Sequence, residues 1–557
     1  MLAGALSMRP TVQAQAPQDV RSLLQAVSKN IGADTLKTLE YTASGMIAAP
    51  GQGFDPIPAR IGIPESWPRF AVSNYTMTID YGAMASREQF TRVAPKRAAI
   101  FPGLDLGGGE HGNQSDPPFL RGGGFINDPA PRQIVQVVNG KVAWDVNGTN
   151  NVRMWEYLAG MDAAEFRQLE IILTPHGFVK AALAPGANPA LIPGREPRIQ
   201  LNNVLGKYKV NAYIDQNLVH MVETWIPNPV AGDMRMTHEY TRWRQFGPVK
   251  FYTDDHSHYF HVQEEDNRQY RILDVKANVA PAATVFAVPP AVQQATKPAV
   301  RVESTKLADG TWLIGGGSHN SVLVEFRDFV AVVEAPQNEE RSLAVIAEVR
   351  RLVPSKPIRY VVNTHYHWDH SGGLRAFVAN GAQIVTHDGN VDYYNRVMFG
   401  SPRKLMPDTL SQREDLLGIS IRPAYVRGAD TPTFLTDRAW GSAGTGKVLE
   451  FYNVGTGSPP WSSHNEFLLA VYLPAERMLI NADLYSPPAP GQPMPSGPPV
   501  EGVVALGHVI KTYGLNVAQH VPIHGQPGSH EQFLKILGGT AAPDSHGPLV
   551  LGGAGTQ

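Results

Sequence analysis

The chain contains no cysteine in 557 residues. That absence excludes disulfides, thiolate metal ligands and a cysteine nucleophile, and leaves His, Asp and Glu as the side chains able to hold a zinc-type ion. Charge is also scarce. Charged residues make up 18% of the chain, and 48 Lys and Arg nearly balance 50 Asp and Glu, for a formal net charge of −2. There is no long basic run, so the footprint that phosphate binding leaves is missing and no nucleic-acid partner is expected. No stretch supplies the roughly 18 uninterrupted apolar residues of a membrane-spanning helix. Nothing in the pattern sets an oligomeric state.

Glycine and proline are plentiful, at 53 and 46 residues, so turns and loops should be frequent and helix modest. Hydrophobic residues at 43% suit a globular chain. Its length exceeds what one hydrophobic core usually organises, so at least two domains are expected. At the start, Leu2 to Met8 is mildly apolar, and Val12 to Ala16 resembles a small-residue signal-peptidase site. Residues 1–17 are accordingly expected to be part of a signal peptide or a disordered tail. The first option implies a periplasmic or secreted protein, the second a cytoplasmic one.

Residues 18–278 read as an antiparallel β-rich domain. Arg69 to Asp80 and Gln133 to Trp144 are rich in β-branched and aromatic residues, and Asn139-Gly140 is a strong hairpin signal. Lys207 to Ile214 and Val222 to Trp225 continue the meander, and Glu165 to Leu173 is a helical candidate. Residues 279–298, rich in Pro and Ala, read as a linker. From 299 to 538 strand and helix alternate, as in α/β architectures. Residues 539–557 are Gly/Ala/Pro-rich and expected to fray.

The chemistry concentrates at Val361 to Gly373, where an apolar strand runs into His365, His367, Asp369 and His370 and then Gly372-Gly373. Imidazoles two residues apart just past a strand end can face one ion, and the following Asp and His can turn toward a second. Zinc-type metals prefer this mixture of imidazole and carboxylate.

This segment resembles the metallo-β-lactamase superfamily, whose hallmark is H-x-H-x-D-H after a strand. Later features follow in the family's order. Ser463-His464-Asn465 precedes the run from Leu468 to Pro474, Met478 to Asp483 is similar to the strand that delivers a bridging Asp, and Val521 to Gly525 is similar to the closing His-Gly. Upstream, Gly315 to Phe326 looks like the family's opening strand. The resemblance implies an α+β chain with a C-terminal αββα sandwich behind the N-terminal β-rich domain. It implies one metal on His365, His367 and His464, a second on Asp369, His370 and His524, and Asp483 bridging them. Two zinc ions are the expected cofactor, with iron or manganese possible. The implied activity is hydrolysis of a small-molecule substrate, an ester, lactone or β-lactam-type compound, by a hydroxide bridging the two ions, with Asp369 or a metal-held water as proton donor. Catalysis would then centre on His365, His367 and Asp369.

Other readings stay open. Relatives of this fold use a single iron to oxidise persulfides. The N-terminal domain weakly resembles the half-barrel of periplasmic lipoprotein carriers, so a lipid or ligand carrier with an accessory metal domain is another. His319, Asn320 and His387 are possible pocket residues. Asp254 to His261 could bind metal but reads as a solvated loop. Arg403 and Lys404 face an anionic substrate or solvent. Gly107 to Gly109 and Gly122 to Gly124 read as loops. His520 competes with His524 for the last ligand position. Because His464 lies 94 positions after His370, an insertion between Tyr393 and Gly446 is expected as a lid or pocket wall.

Overall fold

The computed structural model describes residues 19–57, 67–93, 131–157, 160–194, 197–261, 264–413, 424–426, 433–437, 446–454, 464–488, 499 and 501–538. The N-terminal tail, the two triple-glycine stretches, the residues just before His464 and the C-terminal tail lie outside the described residues.

Among the described residues the N-terminal region is built on an antiparallel sheet of thirteen strands, with two small two-stranded sheets beside it. At its centre Thr38–Ala48 pairs with Arg69–Asp80 on one side and Glu264–Ala277 on the other. Alternation sets the faces: Leu39, Tyr41 and Ala43 are buried between less buried neighbours. The hairpin Arg132–Asn139 and Val142–Asn147 is closed by Gly140 and Lys141, one position later than an Asn139-Gly140 centre, because Asn139 pairs with Val142 and Gly140, at φ 53°, takes the left-handed first position of a primed turn. The helices Val20–Ile31, Ala163–Leu173 and Pro175–Leu183 pack their apolar stripes against the sheet, and share one core with Tyr208, Val222 and Tyr259. The face a carrier would use for an acyl chain is thus filled by the protein's own helices.

Two sequence expectations change here. Asp254 to His261 is not a loop: Asp254–Phe260 is an inner strand between Gly232–Thr241 and Glu264–Ala277, because its alternate residues Asp255, Ser257 and Tyr259 are buried inward. The stretch read as a linker carries the short helix Pro290–Gln294, and Val292 packs with Val135, Val137 and Trp144 of the sheet.

The C-terminal region is a sandwich of two mixed sheets, with seven and six strands. Val322, Val324, Ala331 and Val333 of the first face Phe451, Leu469, Val471 and Ile480 of the second in one apolar layer. Glu339–Leu352 and Leu374–Ala379 cover the first sheet, and Glu501–Thr512 and His530–Ile536 the second, giving the expected αββα order. The described parts of the insertion are structural and not a lid: Ala424–Val426 adds an edge strand to the first sheet and Thr433–Thr436 one to the second. Arg403 faces neither substrate nor solvent. It is buried and donates to the carbonyls of Asn228, Pro229, Val230 and Met398, clamping the insertion to the N-terminal domain. Lys404 remains exposed.

Candidate metal centre

Five chain segments converge at one end of the sandwich. The strand Ile358–Val362 ends in a loop carrying His365 and His367, and the one-turn helix Trp368–Ser371 presents Asp369 and His370. Asp483 follows the strand Met478–Asn481, and His524 follows Gln519–Pro522. His464 precedes Leu469–Leu473. All seven side chains are at least nine-tenths buried.

They fall into two groups able to hold a metal ion. One is His365, His367 and His464 with Asp483, and the other is Asp369, His370 and His524 with His319. Within the first, His464 Nε2 lies 3.3 Å from His365 Nε2. Within the second, His524 Nε2 lies 3.2 Å from His370 Nε2. Such separations match the edge of a tetrahedron with metal–nitrogen distances near 2.0–2.1 Å, about 3.3 Å. Asp483 stands between the groups. Its Oδ2 is 3.2, 3.1 and 2.9 Å from Nε2 of His365, His464 and His370, and its Oδ1 is 3.0 Å from His524 Nε2. Asp483 sits at φ 57°, an unfavourable backbone conformation for a non-glycine residue of the kind that concentrates at functional sites.

The rings are aimed from behind. His370 Nδ1 meets Glu334 Oε2 at 2.8 Å, His365 Nδ1 meets Thr364 Oγ1 at 3.0 Å, and His524 Nδ1 meets the Ser318 carbonyl at 3.1 Å. Each contact leaves Nε2 pointing into the centre. His367 is reversed: its Nε2 donates to the Gly53 carbonyl at 2.8 Å, and its buried Nδ1 has no hydrogen-bond partner. An orphaned buried imidazole nitrogen facing two other histidines is what a metal ligand looks like before the ion is added. The donor set fits a zinc-type ion.

Electrostatics points the same way. Burial opposes ionisation of Asp369 and Asp483, yet the adjacent imidazoles, His370 foremost, hold both well below the ordinary carboxylate range. Against the same burial, Asp483, Asp369 and Glu334 hold the His370 imidazolium well above its usual range. Burial and the neighbouring His370 push His365 down to about 3, so it is a neutral donor at ordinary pH. Three buried carboxylates, Glu334, Asp369 and Asp483, beside clustered imidazoles form a pocket that favours cations.

Several supporting residues were not legible in the sequence. The segment Ala49–Ile57 of the N-terminal domain lies against the centre. The Gln52 amide donates to Asp369 Oδ1 at 2.7 Å, the Gly53 carbonyl receives His367, and the Gly51 carbonyl accepts from Trp368 N. Nothing in its composition marks it. Glu334 could have been suspected as an acidic residue ending the apolar strand Val330–Val333. Of the possible pocket residues, His319 reaches the centre, with Nε2 3.2 Å from Asp369 Oδ2. Asn320 donates to the carbonyls of Pro522 and Gly525, bracing the loop that carries His524. His387 belongs to neither group: it accepts from Gly389 N and stacks on Phe467, a packing role. His520 packs against His530 and Phe533.

The family model described as "Metallo-beta-lactamase superfamily" matches residues 314–484. The C-terminal domain is a metallo-β-lactamase-superfamily domain. That match spans six of the seven expected ligand positions, and His524 lies beyond it. Among curated proteins, the linear primary-alkylsulfatase of Pseudomonas sp. (strain ATCC 19151) is 28% identical over 245 residues, which is 39% of this chain and 43% of that protein. The chain thus spans less than half the length of that relative. Among solved structures, a metallo-β-lactamase from Hirschia baltica is 19% identical with a TM-score of 0.30, over 42% of this chain and 96% of that one. One from Pontibacter korlensis is 18% identical with a TM-score of 0.30, over 42% and 97%. No helix among the described residues is long and apolar enough to cross a membrane.

Proposed function

We propose that this protein is a metal-dependent sulfuric-ester hydrolase that cleaves a primary alkyl sulfate at a centre of two zinc-type ions. His365, His367 and His464 hold the first ion, Asp369, His370 and His524 the second, and Asp483 bridges them. The observation that carries the reading is the position of Asp483, whose two carboxylate oxygens lie within 3.2 Å of histidines from both groups. The likeness to the Pseudomonas alkylsulfatase supports the choice of substrate among the esters, lactones and β-lactams that such a centre suits.

Bound there, two divalent ions would lower the pKa of a water and draw charge from the ester oxygen. The chain's own residues do the rest. Glu334, Thr364, Ser318 and Gly53 fix the imidazoles so that little rearrangement is needed in the transition state. Gln52 and His319 hold one oxygen each of Asp369 and so fix that carboxylate beside His370. Hydrolysis consumes one water, breaks the ester linkage and releases an alcohol and hydrogensulfate.

The test is a panel of a primary alkyl sulfate, an aryl phosphate, a carboxylate ester, a lactone and a chromogenic β-lactam, run on zinc-loaded protein and on Asp483→Ala. Sulfate release by the wild type, lost in the variant, is expected. Turnover of another member without sulfate release would overturn the substrate. Oxygen consumption with a single iron would overturn the hydrolase.

A further inference from the structure

We propose that His256, His258 and Asp266 form a third metal site, a structural centre for one divalent transition-metal ion such as zinc, on the outer face of the N-terminal sheet. This is independent of the reaction assigned to the C-terminal domain.

The placement follows from strand geometry. His256 and His258 are two residues apart on Asp254–Phe260, so their rings share one face. Tyr259, between His258 and Phe260, points the other way into the helix-packed core. On the neighbouring strand Asp266 pairs directly with His258, and a register shift between Ser257 and His258 brings its carboxylate within reach of both rings. His256 Nε2 lies 2.6 Å and His258 Nδ1 3.1 Å from the same atom, Asp266 Oδ1, and the ring centroids are 4.1 Å apart. Glu264 Oε1, 3.2 Å from His258 Nδ1, is positioned as a fourth donor. Two imidazoles and two carboxylates make a four-coordinate zinc set without cysteine.

Two features point to a ligand and not merely an ion-pair cluster. His258 is 7% exposed, and its Nδ1 faces two carboxylates at once, Asp266 Oδ1 at 3.1 Å and Glu264 Oε1 at 3.2 Å. His256 Nε2 faces both Asp266 Oδ1 and, at 2.8 Å, the Gln269 amide nitrogen. One ring nitrogen cannot donate to the first and accept from the second at once. An ion among the three convergent atoms takes both ring lone pairs and Asp266 Oδ1. Asp266 Oδ2 remains held by Arg69 Nη2 at 2.7 Å and Gln269 Nε2 at 2.6 Å, the outer support that ligating carboxylates usually have. Glu239, paired with His256 on the next strand, adds negative charge nearby.

The position suggests what the ion is for. Thr38–Ala48, the strand leading into the segment 49–57 that lines the catalytic centre, pairs with Glu264–Ala277, and Arg69 begins the strand that returns the chain to the sheet. An ion on Asp266 would pin both strands beside that segment.

Zinc content of full-length protein decides the matter. Wild type is expected to hold three equivalents, His258→Gln and the near-isosteric Asp266→Asn two each, and a His367→Ala/Asp483→Ala protein one. In that last background, cobalt titration should give the visible bands of a four-coordinate centre, abolished by adding His258→Gln. Equal zinc in wild type, His258→Gln and Asp266→Asn would overturn the third site, as would a metal-free His367→Ala/Asp483→Ala protein. Zinc unchanged by His367→Ala/Asp483→Ala, yet reduced by His258→Gln, would instead overturn the dinuclear centre and sustain this one.

Discussion

Gln52 and Asp369 lie 317 positions apart in sequence, and the Gln52 side-chain amide donates to Asp369 Oδ1 at 2.7 Å. The two belong to different domains, and both are more than nine-tenths buried. With His319 on the other oxygen, Asp369 is held from two sides, one of them supplied by the N-terminal sheet. The large first domain therefore contributes directly to the candidate metal centre of the second.

Gln52→Ala removes that restraint without touching a proposed ligand. Outer hydrogen bonds to ligands typically matter by 10–100-fold in metal affinity. The variant should bind its second ion about 10-fold to 100-fold more weakly and regain turnover in excess zinc. Activity measured against free zinc concentration checks this, and an unchanged zinc dependence would refute it.

Gly51 is at φ 75°, and a Cβ there would lie 2.2 Å from Trp368 Cδ2. Gly51→Ala combines a disfavoured backbone with overpacking against a buried ring. A loss of roughly 2–4 kcal/mol follows, readable as a lower urea midpoint. An unperturbed midpoint would mean that the segment can move away from Trp368 at little cost.

Metal removal should destabilise the whole chain, because the C-terminal centre gathers three carboxylates in a buried pocket. For each site held at 100 times its Kd, ligand linkage contributes about 2.7 kcal/mol. Dialysis against a strong chelator should lower the thermal midpoint, and added zinc should restore it.

His176 gives an acid limb unrelated to metal. It is fully buried, with Nε2 3.1 Å from the Ile31 carbonyl, and burial pushes its pKa down to about 4. In the unfolded chain a histidine takes a proton near 6.5. Between pH 6.5 and about 4 the unfolded state thus binds a proton that the folded state refuses, so stability falls as pH falls, by up to roughly 3 kcal/mol. Denaturation of metal-free protein at pH 7.5 and 5 should show this loss in wild type, with a smaller loss in His176→Gln.

The sequence by itself determined what depends on local order. His365, His367, Asp369 and His370 sit within six residues behind an apolar strand, so their meeting at one strand end required no knowledge of the rest of the chain. Asp483 and His524 also follow apolar strands, and short strands that end together deliver their next residues to one edge of a sandwich. The hairpin at Asn139-Gly140 was legible from the glycine, although the two-residue turn falls at Gly140 and Lys141 because Asn139 pairs with Val142. Tertiary structure decided whatever rests on contacts distant in sequence. Asp254 to His261 looked like a polar loop because its polarity is spent on cross-strand partners, Asp266 and Glu264, which a single-strand pattern does not display. Arg403 looked like a surface cation, and only the folded chain brings the carbonyls of residues 228–230 to it. Gln52 and Gly53 bear no local mark of function. Their backbone and amide groups acquire a role only when the sheet that carries them is packed against the metal centre, because hydrogen bonds select by distance and direction in space and not along the chain.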